Sequence, residues 1–348
     1  MSFFRFYRQP TGLSRPVRAV PGQAGCLLML LAAGLFWGSG NVANKTVLDH
    51  VGPLTAVGLR CLIATAVILP FAVREYLRST SPPDRRWLRS ALLVSLFFAA
   101  AAAVQQTAFQ RTSVTNAGFL VNTCTILTPV FAWIALGHRP GRRILGAVAA
   151  TFSGAFLMAG GALTPGPLNI GDMLCLLSAA FYAAWMVALG HHAVAGGHPF
   201  LTCLLQFALG AALLFGLACL AETPAPAAIR AALPELMFLG VFATAGAFVL
   251  QTLAQKHVPP SSAAIVVSSE SLFGAFGAYL LLGERTGILG LTGAALILTG
   301  ILVAAGAVGR ACPKPRTVPA EALPDAGFLP DSSDRRAPAR SKSLAQAV

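Results

Sequence analysis

The stretch QTAFQRTS at residues 106–113 returns as QTLAQKHV at residues 251–258, 145 positions later. Four further pairs of stretches match at a similar offset and in the same order along the chain: LFWGSGNV (35–42) with FYAAWMVA (181–188), PLTAVGLRCLIA (53–64) with PFLTCLLQFALG (199–210), WIALGHR (133–139) with YLLLGER (279–285), and ILGAVAATFSG (144–154) with ILGLTGAALILTG (288–300). Any one pair is a weak match. Five pairs in one order predict an internal repeat.

The composition indicates a protein that lies in lipid. Of the 348 residues, 56% are hydrophobic and only 11% are charged, and the mean hydropathy is +0.71. Soluble domains carry about 25% charged residues, so this chain cannot cover itself with a hydrated surface. The formal net charge of +13 does not indicate nucleic-acid binding, because the basic residues cluster between apolar runs and in the tails, where they report membrane topology.

Stretches of about 20 mostly apolar residues are long enough to cross a bilayer as helices. We predict ten of them, at roughly 26–45, 54–73, 88–110, 115–137, 143–162, 172–190, 200–221, 235–255, 260–283 and 287–308. Residues 1–25 form a basic N-terminal tail, and residues 309–348, rich in Pro, Ser and charge, predict a disordered tail.

The basic residues predict the direction of these spans. With a cytoplasmic N-terminus, 20 of the 25 Lys and Arg residues lie on the cytoplasmic side, four lie on the other side, and Arg60 lies within a span. Cytoplasmic loops carry an excess of Lys and Arg, so both termini are expected in the cytoplasm.

Each half of the repeat, 26–162 and 171–308, contains five predicted spans. Because an odd number of spans reverses the direction of the chain, the two halves must be inserted in opposite orientations. Inverted repeats are a recurring plan of secondary transporters, with the substrate site near the midplane where the halves meet. The sequence therefore predicts an all-α integral membrane protein with ten transmembrane helices as two inverted five-helix repeats.

The same residues resemble a known family. FWGSGNVANK (36–45), Arg60 in the second span, the Thr128-Pro129 pair in the fourth, and LLLGER (280–285) after the ninth are similar to the EamA family of the drug/metabolite transporter superfamily. The resemblance covers roughly 26–308. It implies a ten-helix carrier of the inner (plasma) membrane, commonly an exporter of amino acids or other small metabolites, in which helices one to four and six to nine surround a central cavity.

The chain departs from this family pattern in its first half. Gly137-His138-Arg139 stands where the family usually has Gly-Glu-Arg, and Pro129 lies about one turn closer to Gly137 than Ser271 lies to Gly283. We therefore expect the fourth helix to end early or to kink differently from the ninth.

Two charged residues, Arg60 and Glu270, lie well away from the ends of predicted spans, where charge is costly and usually faces a cavity or a partner. Glu270 lies roughly 15 Å deep at 1.5 Å per residue, too deep for its carboxylate to reach water. It is a candidate site for a substrate amine or a proton, or a neutral group that holds helices together. Arg60 is a candidate for binding a substrate carboxylate, for pairing with Glu270, or for extending outward to the interface.

Aromatic and polar side chains could complete the same site. Trp37 and Asn41 share one face of the first helix because they are four residues apart, and Tyr182 and Trp185 lie at the matching height of the sixth. Gln206 occupies the position in the second repeat that Arg60 occupies in the first, and it is neutral. We therefore expect charge to be distributed unequally between the two halves of the cavity. Six further polar residues are either cavity-lining or interhelical contacts: Gln105, Gln106, Asn122, Thr125, Gln251 and Ser269.

No motif supports another class of protein. The sequence contains no H-E-x-x-H, G-x-S-x-G or Walker sequence, and its six histidines fall at loops or span ends without acidic or cysteine partners at metal-ligand spacing. We therefore predict no enzyme activity, no metal and no cofactor. An intramembrane enzyme acting on lipid, an exporter of cationic drugs and a channel remain open alternatives.

The expected partners follow from this reading. They are a small-molecule substrate, such as an amino acid or metabolite, membrane lipid, and protons as a candidate coupling ion, with no nucleic acid. The protein is expected as a monomer or homodimer. The opposed charges of Arg60 and Glu270 suit a zwitterion.

Overall fold

The computed structural model describes residues 22–79, 82–112, 114–137, 139–159, 169–282 and 287–311, and every regular element in these ranges is a helix. The α-helices are α1 Gln23–Thr46, α2 Pro53–Leu77, α3 Arg85–Phe109, α4 Val114–Val121, α5 Cys124–Leu136, α6 Arg142–Met158, α7 Ile170–Gly196, α8 Pro199–Ala221, α9 Pro226–Ala231, α10 Leu233–Phe238, α11 Ala247–Gln255, α12 Pro260–Val267, α13 Glu270–Leu282 and α14 Ile288–Ala311. A 3₁₀ turn at Val47–Asp49 follows α1, and a π-helical segment at Leu239–Gly246 joins α10 to α11.

Seven helical stretches in the described ranges are long and apolar enough to cross a membrane, so this is a multi-pass membrane protein. They are Pro53–Leu77, Arg85–Phe109, Ala117–Leu136, Ile170–Ala195, Pro199–Ala221, Leu233–Gln255 and Ile288–Gly306. The bent pair Ala24–Gly40 and Ala43–Asp49, with an angle of 45° between its parts, would make eight.

Three of the ten predicted spans are not among these seven stretches. The predicted span 26–45 is the bent first helix. The span 143–162 is α6, whose 17 residues extend roughly 25 Å at 1.5 Å per residue, less than the ~30 Å hydrocarbon core. The span 260–283 is divided into α12 and α13 at Ser268–Ser269 and is not among the seven. The count of ten spans therefore stays a prediction.

A second interruption lies in the first half of the chain. The helical course breaks at Asn122–Thr123, between α4 and α5. The breaks at Asn122 and Ser268 are 146 positions apart, which is close to the offset of the sequence repeat. Each break places short polar side chains, which can hydrogen-bond the backbone in place of helical partners, in the middle of an apolar run.

Hydrogen bonds between helix ends define two faces of the bundle. Lys45 Nζ, at the end of α1, donates to Phe109 O at the end of α3 (2.9 Å), and Thr112 Oγ1, just after α3, donates to Asp172 Oδ1 at the start of α7 (2.6 Å). We call the side where α1 begins the lower face and the side where it ends the upper face. Helix α7 therefore begins at the upper face and runs toward the lower face.

Helices α2 and α8 cap each other at both ends. Glu222, after α8, accepts hydrogen bonds from Leu54 N and Thr55 N at the start of α2 (both 2.8 Å). Glu75, near the end of α2, accepts one from Leu201 N at the start of α8 (2.9 Å). The first N–H groups of a helix lack intrahelical partners and favour negative charge. Each carboxylate therefore accepts hydrogen bonds from the unpaired N–H groups at the start of the other helix. The two helices are consequently antiparallel.

Glycine allows close approach where α6 meets α14. A Cβ on Gly154 would collide with Gly293 O, and a Cβ on Gly293 would collide with Gly154 O. Small residues let transmembrane helices approach at their backbones, which strengthens the van der Waals contact between them.

Candidate functional site

A cavity of about 110 Å³ lies between α1, α2, α3, α4, α5, α7, the π-helical segment and α11–α13. Asn44, Phe109 and Gly118 line it and belong to helix ends at the upper face. Trp185, Met186 and Phe248 line it from the middle of the bundle. The cavity therefore extends from the middle of the molecule toward the upper face.

The two helix breaks meet at this cavity. Ser268 Oγ donates to Asn122 Oδ1 (3.0 Å), Thr125 Oγ1 donates to the same Asn122 oxygen (2.9 Å), and the two hydroxyl oxygens are 2.9 Å apart. All three side chains are buried, and all three residues line the cavity. Irregular backbone is tolerated at membrane depth where it lines a cavity. Asn122 Nδ2, by contrast, is buried without a hydrogen-bond partner. The amide N–H groups of Asn122 are therefore not used by its contacts with Thr125 and Ser268.

Glu270 is the first residue of α13 and lines the cavity. A carboxylate at a helix N-terminus is stabilised by the helix dipole and the unpaired N–H groups. Helix α1 packs closely against this position, because a Cβ on Gly38 would collide with Glu270 O. Gly38 of the FWGSGNVANK stretch therefore brings α1 against the start of α13.

Arg60 lies on α2 and is only 7% exposed, so its side chain does not extend to the upper surface. Its Nη1 donates to Asn44 Oδ1 at 2.8 Å, whereas its Nε has no hydrogen-bond partner. The hydrogen bond of Arg60 thus goes to Asn44 and not to Glu270. Among the described lining residues, Arg60 is the basic group and Glu270 is the acidic group.

Three aromatic side chains wall the cavity, and hydrogen bonds fix the polar end of each. Trp37 Nε1 donates to Ala243 O in the π-helical segment (2.7 Å), Tyr182 OH donates to Gln105 Oε1 (2.8 Å), and Trp185 Nε1 donates to Gln206 Oε1 (2.8 Å). With the polar ends fixed, the apolar ring surfaces are available to an organic ligand.

Six of the nine predicted site residues line this cavity: Glu270, Arg60, Trp37, Tyr182, Trp185 and Asn122. Gln206 and Gln251 are buried and are not among the lining residues. Gln206 instead orients Trp185. The side chain of Asn41 lies outside the described residues. His138 and LLLGER beyond Leu282 also lie outside them.

Asn44, Thr244 and Ser268 line the cavity as well, and sequence reasoning did not select them. Asn44 belongs to the quoted FWGSGNVANK stretch, and Ser268 adjoins the selected Ser269, so both carried a signal. Thr244 carried none, because a single threonine in an apolar helix is ordinary. Within the described ranges, no three His, Cys, Asp or Glu side chains come together as a metal site.

Comparison with known proteins gives consistent results. The model of a family described as "EamA-like transporter family" matches residues 24–160 and again residues 169–306. Two curated relatives are similar, both named uncharacterized transporters of Archaeoglobus fulgidus. One is 26% identical over 276 residues, covering 79% of this chain and 84% of the relative, and the other is 24% identical over 285 residues, covering 79% and 95%.

The fold is also similar to a solved crystal structure of a protein. The TM-score is 0.67 at 16% sequence identity, and the match covers 82% of this chain and 98% of the other. At this identity the likeness concerns the fold alone.

Proposed function

This chain belongs to the EamA-like transporter family, as its sequence resemblance predicted, and from that premise we propose that it is a secondary carrier that exports amino acids or other small metabolites. The chain is a multi-pass membrane transporter. The proposal adds the substrate class, the export direction and an alternating-access mechanism in the inner (plasma) membrane, with both termini in the cytoplasm.

We propose further that the chain is two inverted five-helix repeats, 26–162 and 171–308, between a basic tail (1–25) and a cytoplasmic tail (309–348). Three observations support this arrangement. The family model matches twice along the chain. The helix breaks at Asn122 and Ser268 occupy equivalent positions in the repeat. Glu75 and Glu222, 147 positions apart, cap equivalent helices in a reciprocal manner.

The proposal that the substrate is an amino acid or a similar metabolite rests on the presence of Arg60 and Glu270 in one cavity. A guanidinium binds a carboxylate with parallel hydrogen bonds, and a buried carboxylate needs a cation or a proton beside it. An amino acid offers both partners at once, with its carboxylate toward Arg60 and its ammonium toward Glu270. The walls formed by Trp37, Tyr182 and Trp185 suit its organic part, including a cationic group over a ring face.

Glu270 is also the candidate for coupling transport to protons. When no substrate is bound, a proton can neutralise its carboxylate in the apolar interior. Exchange of that proton for the ammonium of the substrate would link export to the proton gradient. Charge at the site would then be compensated in both the loaded and the empty carrier.

Counterflow in proteoliposomes tests the proposal. Vesicles loaded with an unlabelled amino-acid mixture should accumulate labelled amino acid from outside, with saturation and with competition by the unlabelled compound. A thermal-shift screen of the purified protein against metabolites selects the amino acids to label. Flux of organic cations alone would identify an exporter of cationic drugs, and a chemically changed product would identify an enzyme; either result contradicts amino-acid export.

A further inference from the structure

Below the cavity, a group of buried amide side chains lies beyond the aromatic cluster in which Phe248 contacts Trp37, Trp185 and Phe98. Resting on the proposed carrier function, we infer that Gln206, Gln251 and Gln255 line a second compartment, the lower half of the transport pathway, which is closed in this conformation and takes up water when it opens. The cavity would be the open upper half.

These three amides are buried and incompletely bonded. Gln206, Gln251 and Gln255 are 2%, 0% and 1% exposed. Gln251 has no hydrogen-bond partner at either Nε2 or Oε1, Gln206 has none at Nε2, and Gln255 has none at Oε1. Four polar atoms of one region are therefore unsatisfied in this conformation.

Unsatisfied amides are costly in a membrane protein. A buried polar group without a partner loses its hydration and gains nothing in return, and lipid offers no replacement. The packing of this conformation therefore carries a penalty at Gln251 that a leucine would avoid. Water or a passing polar solute would remove the penalty, since either supplies donors and acceptors.

Two of the amides, Gln251 and Gln255, continue with Phe248 as a stripe on α11 from the cavity toward the lower face. Phe248, Gln251 and Gln255 lie on one face of α11, three and four residues apart, and Phe248 lines the cavity. Gln255 is roughly 10 Å beyond Phe248 at 1.5 Å per residue. Pro260, just after α11, packs against Gly190, which lies near the lower end of α7. The stripe thus runs downward.

Phe248 separates the stripe from the cavity. Its ring lies 5.0 Å from Trp37, 5.2 Å from Trp185 and 4.9 Å from Phe98 between centroids, with edge-to-face geometry in each pair. Trp185 also donates to Gln206 Oε1, so the barrier and the amides are in direct contact. A displacement of this aromatic cluster would join the two compartments.

For Gln206, the repeat gives an independent reason for the assignment. Arg60 lines the cavity, and its mate Gln206 is buried below it. If the two halves exchange conformations during transport, the mates of residues that line the upper compartment line the lower one. Gln206 would then occupy in the lower compartment the place that Arg60 occupies in the upper one.

The first test replaces Gln251 by leucine. Because leucine leaves no unsatisfied amide, we expect Gln251→Leu to raise the thermal midpoint in detergent by about 2–4 °C and to slow counterflow at least tenfold. Thr252→Val is the matched control, since the Thr252 hydroxyl is already bonded to Phe248 O at 2.7 Å. A lower midpoint for Gln251→Leu would overturn the inference, because it would indicate that the amide is satisfied in the resting protein.

The second test is chemical access, in a background whose seven cysteines have been replaced and whose counterflow is intact. A membrane-impermeant methanethiosulfonate applied at the lower face should modify Gln251→Cys, and should modify it faster when amino acid is present. Leu253→Cys, about 200° around the helix from position 251, should remain unmodified. If counterflow occurs while the thiol of Gln251→Cys stays unreactive, the inference fails and the carrier function stands. Absence of any saturable flux would instead refute the carrier function.

Discussion

Arg60 shows how the chain holds a full charge inside an apolar bundle. Its Nη1 is bonded to Asn44 Oδ1 at 2.8 Å, and its Nε is buried without a hydrogen-bond partner. A neutral amide partner orients the guanidinium without neutralising it. The remaining charge is therefore free to attract a carboxylate.

Replacing Arg60 by lysine should weaken substrate binding. Lysine keeps the charge but loses the planar fork that binds a carboxylate bidentately, so we expect Arg60→Lys to raise the KM of counterflow about tenfold. Arg74→Lys, at an exposed position near the end of α2, serves as the control. An unchanged KM would mean that Arg60 does not contact the substrate.

Replacing Glu270 by glutamine removes a negative charge with little change of shape. The ammonium of the substrate would lose its buried counter-charge, so we expect the flux to fall at least about 30-fold and its dependence on pH to disappear. Asp49→Asn, an exposed acidic position after α1, should have no effect. Undiminished flux with the same pH profile would exclude Glu270 from the mechanism.

At this scale, the sequence identifies residues that are costly in lipid and misses those that are not. Glu270 and Arg60 stand out because charge within a span requires a reason. Thr244 does not, since short polar side chains are common at helix interfaces, and Asn44 and Ser268 are indicated only by the stretches in which they lie. Their place at the cavity depends on where helices break and meet, which single residues do not reveal.

At the scale of elements, replacing a glycine beside the Glu222 carboxylate tests the reciprocal capping of α2 and α8. A Cβ on Gly52 would collide with the Glu222 carboxylate, whereas Gly141, an N-cap with similar φ and ψ (−68° and 155° against −66° and 161°), has open space around it. We expect Gly52→Ala to lower the free energy of unfolding by about 1–2 kcal/mol, measured by denaturant titration in detergent. Gly141→Ala should be neutral. Equal effects of the two changes would contradict the cap.

The contact between α1 and α13 gives a second prediction. Because a Cβ on Gly38 would meet Glu270 O and Gly274 N, Gly38→Ala should push α1 away from the cavity and reduce both thermal stability and counterflow. Gly216→Ala, on α8 with nothing nearby, should change neither. A stable and active Gly38→Ala protein would show that the close approach is unimportant.

Hydropathy predicts where apolar runs begin and end, but not where a helix is interrupted. The run 260–283 is continuous in sequence, yet α12 ends at Val267 and α13 begins at Glu270. Glu270 is conspicuous in the sequence because a carboxylate inside an apolar run is costly, and it lines the cavity; its part in transport stays a prediction. The break itself follows from tertiary contacts with Asn122 and α1, which lie far away in the chain.

For the whole molecule, the number of spans decides which arrangements are possible. Seven helices in the described ranges are long and apolar enough to span, or eight with the bent first pair, whereas the repeat predicts ten. An odd number of spans puts the two termini on opposite sides of the membrane, and ten spans put them on the same side. Two inverted halves of five also place the segment between them on the side opposite to both termini.

Cysteine accessibility at three positions in intact cells tests this arrangement most directly. The single substitutions Ser14→Cys, Gly166→Cys and Ser343→Cys sample the N-terminal tail, the segment between the halves and the C-terminal tail. Inverted five-helix halves predict that an impermeant thiol reagent modifies position 166 from outside, and modifies positions 14 and 343 only after permeabilisation. Modification of positions 166 and 14 from the same side, or of the two tails from opposite sides, would contradict the inverted repeat.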